Sequence, residues 1–143
     1  MDGGRQNGGR QVSRSEHPRV PKAATADQVT AALRAEPSRP TRLLLAVTWL
    51  LCGRTGDCLQ LEKDDVVARD GSRAFTVTFR RGKTVKKRGP YSLHSSFPEE
   101  WMAILEIDWP DVAWVDQMRL SSVPAVLAAL RRVDPDLENR SLR

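Results

Sequence analysis

The fold is decided by the stretch Thr41-Arg-Leu-Leu-Leu-Ala-Val-Thr-Trp-Leu-Leu51, which is followed by Cys52-Gly53-Arg54. Apolar side chains fall on nearly every side of a helix drawn through this stretch, so we expect a helix at the centre of the core. Gly53 ends the predicted helix. Arg54 therefore begins a new turn at the end of a buried element.

Helical patterns also lie on both sides of this stretch. Residues 26–36 predict a helix that Thr25 or Asp27 caps, and residues 55–61 predict a short one. Later in the chain, Ser95 or Ser96 is expected to cap a helix with Pro98 in its first turn. Ser121 or Ser122 is expected to cap a last helix over residues 123–133, and residues 109–115 are irregular or a short strand.

Between these helices the apolar pattern changes to period two. Residues 65–68, 75–79 and 90–93 predict three strands, with Asp70-Gly71 as a turn and residues 82–89 as a loop. Helices followed by a small antiparallel sheet and more helices indicate an α+β fold that is mostly helical.

Length and composition exclude several classes of protein. The 143 residues, 40% of them apolar, suit one domain with its own core. The longest apolar run, residues 43–52, is too short for a bilayer span of about 20 residues. Two cysteines make neither a disulfide framework nor a zinc site. We expect an intracellular protein, nuclear if the host is eukaryotic, with no metal, cofactor, membrane or small-molecule partner.

The positive charge is concentrated in two segments. Residues 1–25, predicted to be a disordered basic tail, hold five basic and two acidic residues and so supply a net +3, whereas the whole chain carries +5. Six of the nine residues 80–88 are basic, at the tip of the predicted hairpin. This basic segment indicates a nucleic-acid backbone as the partner, and a solvated hairpin without a partner is the alternative. Its cations are Arg80, Arg81, Lys83, Lys86, Lys87 and Arg88.

Arg54 carries the second signal. Asp57 follows three residues later, close enough to hold the guanidinium, which would then grip two phosphate oxygens. Taken alone, the pair is better explained as an ordinary surface ion pair.

Together these residues resemble the first half of the tyrosine-recombinase (phage integrase-type) catalytic domain. The resemblance rests on Gly53, Arg54, Asp57, Leu61 and Asp65-Val66, then on the strand of residues 75–79, Lys83, and Tyr91-Ser-Leu93. It covers about residues 40–143 and is specific over residues 47–94. It implies that residues 26–143 form an incomplete catalytic domain that acts on DNA.

In that family a tyrosine attacks the scissile phosphate, arginines stabilise the transition state and a hairpin lysine protonates the leaving oxygen. The resemblance assigns Arg54 as the first arginine, Asp57 as its supporting acid and Lys83 as the lysine, with Lys86 as the alternative. Arg140-Ser-Leu-Arg143 takes the place of the family's His-x-x-Arg motif. Arg143 would be the second arginine and Arg140 a DNA contact, unless this is only a frayed basic end.

The sequence departs from the family after Arg143, where the chain ends without a nucleophilic tyrosine. Tyr91, the single tyrosine, lies on a predicted strand and is expected to pack rather than react. We therefore expect a fragment of a mobile-element recombinase that binds DNA for breakage, rejoining and integration but is catalytically incomplete.

Two alternatives stay open: a non-enzymatic nucleic-acid-binding module that uses the basic hairpin, and a protein whose hairpin meets an acidic protein. A recombinase fragment should place Arg54 and Lys83 in one concave site. It should also expose apolar surface around Leu44, Val47 or Val126 and self-associate through it.

Overall fold

The computed structural model describes residues 22–69 and 71–143. Most of the predicted basic tail, residues 1–21, lies outside this range, as does Asp70 of the predicted turn. The last residues assigned to the tail belong to the folded body. Ala24 is buried and its N–H donates to the Ser141 carbonyl oxygen at 3.0 Å, while the Lys22 ammonium pairs with the Asp134 carboxylate. The tail prediction is therefore wrong for residues 22–25.

The chain is α+β, with helices before and after one small sheet. The helices are α1 (Ala26–Ala35), α2 (Arg39–Leu51), α3 (Thr55–Cys58), α4 (Lys83–Arg88), α5 (Glu99–Leu105), α6 (Trp114–Met118) and α7 (Val123–Val133). Two 3-10 turns span Lys63–Asp65 and Asn139–Leu142. The strands are β1 (Val66–Ala68), β2 (Ala74–Phe79) and β3 (Tyr91–Ser96).

Local capping explains where three of the helices begin. Thr25 and Gln28 form a reciprocal capping box on α1, and Ser122 caps α7, as the sequence predicts. Helix α2 begins two residues earlier than expected because Ser38 caps it and Pro40 is tolerated in its first turn. It ends before Gly53, but the left-handed residue is Cys52, at φ 49°.

The three strands form an antiparallel sheet in the order β1-β2-β3. Val77 pairs with Val66 on one side and with Leu93 on the other. Along β2, buried side chains alternate with partly buried ones, so one face of the strand lies in the core. The buried residues are Phe75, Val77 and Phe79. The expected three-stranded antiparallel sheet is confirmed.

Helix α2 lies at the centre of the core and contacts α1, α3, α5, α6, α7 and β3. Leu44, Val47 and Val126 are fully buried. The expectation that these side chains are exposed is wrong, because α6 and α7 both pack on α2 and cover them. Among the described residues, the large apolar side chains that do face solvent are Val67, Leu120 and Val123.

Three local predictions fail. Residues 82–89 are not a loop, since α4 occupies most of them. Ser95 and Ser96 belong to β3 and cap nothing; α5 begins after Pro98 without a side-chain cap. Residues 109–115 are neither irregular throughout nor a strand, because α6 begins at Trp114. In the part of the chain that is described, no helix is long and apolar enough to cross a membrane.

Candidate nucleic-acid interface

A cleft of about 760 Å³ lies among α3, the start of α4 and the C-terminal 3-10 turn. Within the described part of the chain, its wall holds six cationic side chains and a single carboxylate, that of Asp57. We call it the basic cleft. Its cations are Arg54, Arg80, Arg81, Lys83, Lys86 and Arg143.

Arg54 reaches the cleft because α2 ends sharply before it. The left-handed Cys52 turns the chain, and Arg54 then adopts an extended conformation as the residue before α3. Its side chain is exposed. In residues 22–69 and 71–143, no ion pair shorter than 4.0 Å joins Arg54 to any carboxylate, Asp57 included. The expectation that Asp57 holds the Arg54 guanidinium is therefore wrong.

Asp57 instead faces helix α4. Its side chain is buried, and its Oδ2 atom accepts a hydrogen bond from Thr84 Oγ1 at 2.9 Å. Its other oxygen, Oδ1, packs against Gly82, the residue before α4, which has a φ of 109°. Helix α3 thus directs the Asp57 carboxylate toward the basic segment rather than toward Arg54, which lies three residues earlier.

The lysines of the basic segment project from a helix, not from a flexible tip. Lys83 and Lys86 lie one turn apart on α4, and both line the basic cleft. They also line an adjoining cavity of about 470 Å³, together with Arg54 and with Thr84, Lys87 and Arg88. The two lysines are therefore equivalent in their access to the cleft and to the adjoining cavity.

Arg80 and Arg81 are anchored at the edge of the cleft. The buried Asp65 carboxylate accepts from Arg80 Nε at 3.1 Å and also pairs with the Arg81 guanidinium. Arg81 donates to the Gln60 carbonyl oxygen at 3.3 Å as well. Both side chains remain partly exposed, at 51% and 38%. Sequence reasoning used Asp65 only as part of a motif and did not predict that it pairs with Arg80 and Arg81. These residues are too far apart in the chain for their spacing to indicate a contact.

The C-terminal residues are held against the body. Ser141 and Leu142 are buried, and Asn139 Nδ2 donates to the Val123 carbonyl oxygen at 3.3 Å. Arg143 follows this anchored turn and lines the basic cleft, whereas Arg140 is exposed outside its wall. The alternative of a frayed basic end is wrong for the turn over Asn139–Leu142.

Tyr91 packs on the sheet beside the cleft. Its ring stacks on Phe79 with centroids 5.0 Å apart, and the Arg88 guanidinium lies 6.0 Å over its centroid. Partial burial and, secondarily, the nearby Asp57 charge raise the Tyr91 pKa above its ordinary value. The expected packing role of this tyrosine is confirmed.

Thr55 is a residue of the cleft that sequence reasoning missed. It is buried, it lines the basic cleft, and its Oγ1 atom has no hydrogen-bond partner among the described residues. A buried hydroxyl without a partner is costly, so this side chain adds a desolvation cost beside the cleft wall.

Chemically, the cleft can bind an anion by its cations. Over residues 22–69 and 71–143, no cluster of three or more His, Cys, Asp or Glu side chains could hold a metal ion.

No protein-family model, curated protein or solved structure matches this chain.

Proposed function

We propose that the basic cleft binds the sugar–phosphate backbone of DNA, and that the chain is part of a tyrosine-recombinase-type catalytic domain. One observation carries the proposal. Arg54, Lys83 and Arg143 come from three separate elements and line the same cleft. A plain basic hairpin would not need Arg54 there, since Arg54 precedes α3 and is not part of the hairpin.

Electrostatics favours a phosphate ligand. The cleft wall holds six cationic side chains and one acidic side chain; Asp65 pairs with two of the cations, Arg80 and Arg81, and the other four have no ion pair among the described residues. Arg54 and Arg143 present planar guanidinium groups, which bind two phosphate oxygens at once. Each contact to a phosphate releases a condensed counterion, so binding weakens steeply with salt.

The proposed roles follow from the resemblance. Arg54 and Arg143 would neutralise the non-bridging oxygens of the scissile phosphate, and Lys83 or Lys86 would lie next to the leaving 5′-oxygen. Arg80 and Arg81 would contact a neighbouring phosphate while Asp65 holds them. Lys87, Arg88 and Arg140 lie outside the basic cleft and would add contacts along the backbone.

The proposal includes binding without cleavage by these 143 residues. Tyr91 is their single tyrosine, its ring is stacked on Phe79, and its raised pKa disfavours the phenolate that would attack. A duplex with a nicked suicide site should therefore yield no covalent protein–DNA adduct in denaturing gels. An adduct that Tyr91→Phe abolishes would overturn this part of the proposal.

Fluorescence anisotropy with a labelled duplex tests the binding itself. We expect Kd to rise steeply between about 50 and 200 mM salt, and each of Arg54→Ala, Lys83→Ala and Arg143→Ala to reduce the logarithmic salt slope by about one. Arg119→Ala is the matched control, because Arg119 is exposed and lies outside both cavities. Equal effects of Arg54→Ala and Arg119→Ala would overturn the proposal.

The same measurement separates the non-enzymatic module from the recombinase fragment. Lys87 and Arg88 line only the adjoining cavity, so a module that binds by the exposed basic helix alone should lose affinity on Lys87→Ala but not on Arg143→Ala. The proposed cleft requires the Arg143→Ala loss.

A further inference from the structure

Helix α4 has little reason to form by itself. It spans six residues, Lys83–Arg88, of which four are cationic and none is acidic. Lys83 faces Lys86 and Lys87 at the three- and four-residue spacings where like charges repel. Gly82, which precedes the helix, offers no side-chain cap. An isolated helix this short is unstable in water even with a favourable sequence.

What supports α4 from outside is the carboxylate of Asp57. Its Oδ2 atom accepts the Thr84 hydroxyl at 2.9 Å, and its Oδ1 atom packs on Gly82. This is the sole carboxylate of the cleft wall among the described residues, and it is buried. A buried negative charge beside the first turn offsets the repulsion among the lysines and fixes the rotation of that turn.

We propose that the Asp57–Thr84 hydrogen bond is a latch that holds residues 82–89 as a helix and so aims Lys83 and Lys86 into the basic cleft. Asp57 and Thr84 are positioning residues in this proposal: they touch the helix, and the lysines touch the ligand. The helical state of α4 does not depend on what the cleft binds, but the DNA readout below rests on the proposed function.

A coupling to anions follows from the latch. A phosphate between Lys83 and Lys86 removes the same repulsion that opposes the helix, so ligand binding and helix formation favour each other. Without the latch, part of the binding free energy would be used to order the segment, and the apparent affinity would be the intrinsic affinity multiplied by the fraction of chains in which the segment is helical.

Hydrogen exchange of the free protein tests the latch without any ligand. Thr84→Val removes the hydroxyl at nearly constant volume, and Thr84→Ser retains it. A hydrogen bond to a charged group corresponds to about a tenfold or larger equilibrium effect. We expect the amides of Lys86 and Gly89, which bond to the carbonyls of Gly82 and Val85, to exchange about tenfold faster in Thr84→Val and at the wild-type rate in Thr84→Ser.

The matched control is Thr76→Val on the exposed side of the sheet. It removes a comparable hydroxyl contact, Thr76 Oγ1 to His94 Nδ1 at 2.8 Å, three register positions away from the Phe79–Tyr91 pair that leads into α4. Exchange at Lys86 and Gly89 should not change in this variant. Unchanged exchange in Thr84→Val, or acceleration spread evenly over the whole chain, would overturn the latch.

DNA binding supplies a second readout that a loss of global stability would not move. Thr84→Val should lower the salt slope by about two, because Lys83 and Lys86 would no longer be held in the cleft. Thr84→Ser should retain the wild-type slope. Faster exchange at α4 with an unchanged salt slope would mean that the hydrogen bond stabilises the helix, and it would overturn the part of the proposal that concerns DNA binding. Absence of binding by the wild type would overturn the proposed function, and the exchange result would still decide the latch.

Discussion

Asp57 Oδ1 occupies the space that a side chain on Gly82 would need: a β-carbon built on residue 82 would lie 2.5 Å from this oxygen. Gly82 also has a φ of 109°, which L-residues rarely adopt. The close approach of these two residues sets the start of helix α4 and therefore the position of the basic segment.

Gly82→Ala should destabilise the protein by about 1–3 kcal/mol, because the new β-carbon requires both a strained backbone and displacement of a buried carboxylate. Gly56→Ala is the control: a β-carbon there meets nothing within 4 Å, and the residue lies in helix α3. That variant should be neutral or slightly stabilising. Urea unfolding of both variants measures the difference, and equal midpoints would contradict the prediction.

Asp65→Asn should weaken the anchorage of Arg80 and Arg81. The arginines are partly exposed, so solvent screens the pairs, and we expect a loss of about 1–2 kcal/mol rather than that of a fully buried pair. Asp65 Oδ2 also accepts the Glu62 N–H at 2.9 Å, which an amide could still do. Chemical denaturation checks the loss. Asp64→Asn, at an exposed neighbouring position, should leave the midpoint unchanged.

The two thiols should differ sharply in reactivity. Cys58 is buried, and desolvation raises the pKa of its thiol to about 12, whereas Cys52 is exposed. At about pH 8 only a small fraction of Cys58 would be thiolate, the nucleophilic form. A disulfide reagent should label one thiol in the native protein and two in urea. Cys52→Ser should abolish the native labelling, and rapid labelling that persists in this variant would contradict the burial of Cys58.

Tyr91 provides a titration that reports on Asp57. As the single tyrosine, it alone gives the phenolate absorbance change near 295 nm. We expect a pKa above the ordinary value of about 10, chiefly because of burial and next because of the Asp57 charge. Asp57→Asn should lower this pKa partway toward the ordinary value. A raised folded-state pKa also means that the stability associated with the neutral phenol is lost as the pH rises through it.

Acid should loosen the attachment of residues 22–25. The hydrogen bond from Lys22, then that from the Asp136 N–H, lowers the pKa of Asp134. A lowered carboxyl pKa contributes stability above the unfolded-state value of about 4, and this contribution disappears as the pH falls through the folded-state pKa. Lys22→Ala should flatten the acid limb of the stability curve. Arg34→Ala, which breaks an exposed pair with Glu100, is the control and should affect it less.

Several elements follow from local sequence, and they are those whose determinants are neighbours in the chain. The capping box of α1, the Ser122 cap of α7 and the alternation in β2 each depend on residues a few positions apart. The burial of α2 also follows from its own composition, because a helix that is apolar on nearly every side has no polar face that could be exposed to solvent.

Helix α4 could not be predicted because the residues that stabilise it are elsewhere. Glycines 82 and 89 and a run of like charges predict a loop, and the predicted loop becomes a helix in contact with Asp57. The full burial of Val126 likewise depends on α7 packing against α1 and α2, which no local pattern contains.

The amino-acid sequence by itself determined the α+β class, the central helix and the concentration of positive charge in residues 80–88. The tertiary structure alone decided which charges are paired. Asp65 pairs with Arg80 and Arg81, and Asp57 accepts a hydrogen bond from Thr84 instead of pairing with Arg54. The physical reason is that a charge interacts with whatever the fold brings within a few ångströms, and sequence spacing reports that distance only inside a single helix or strand.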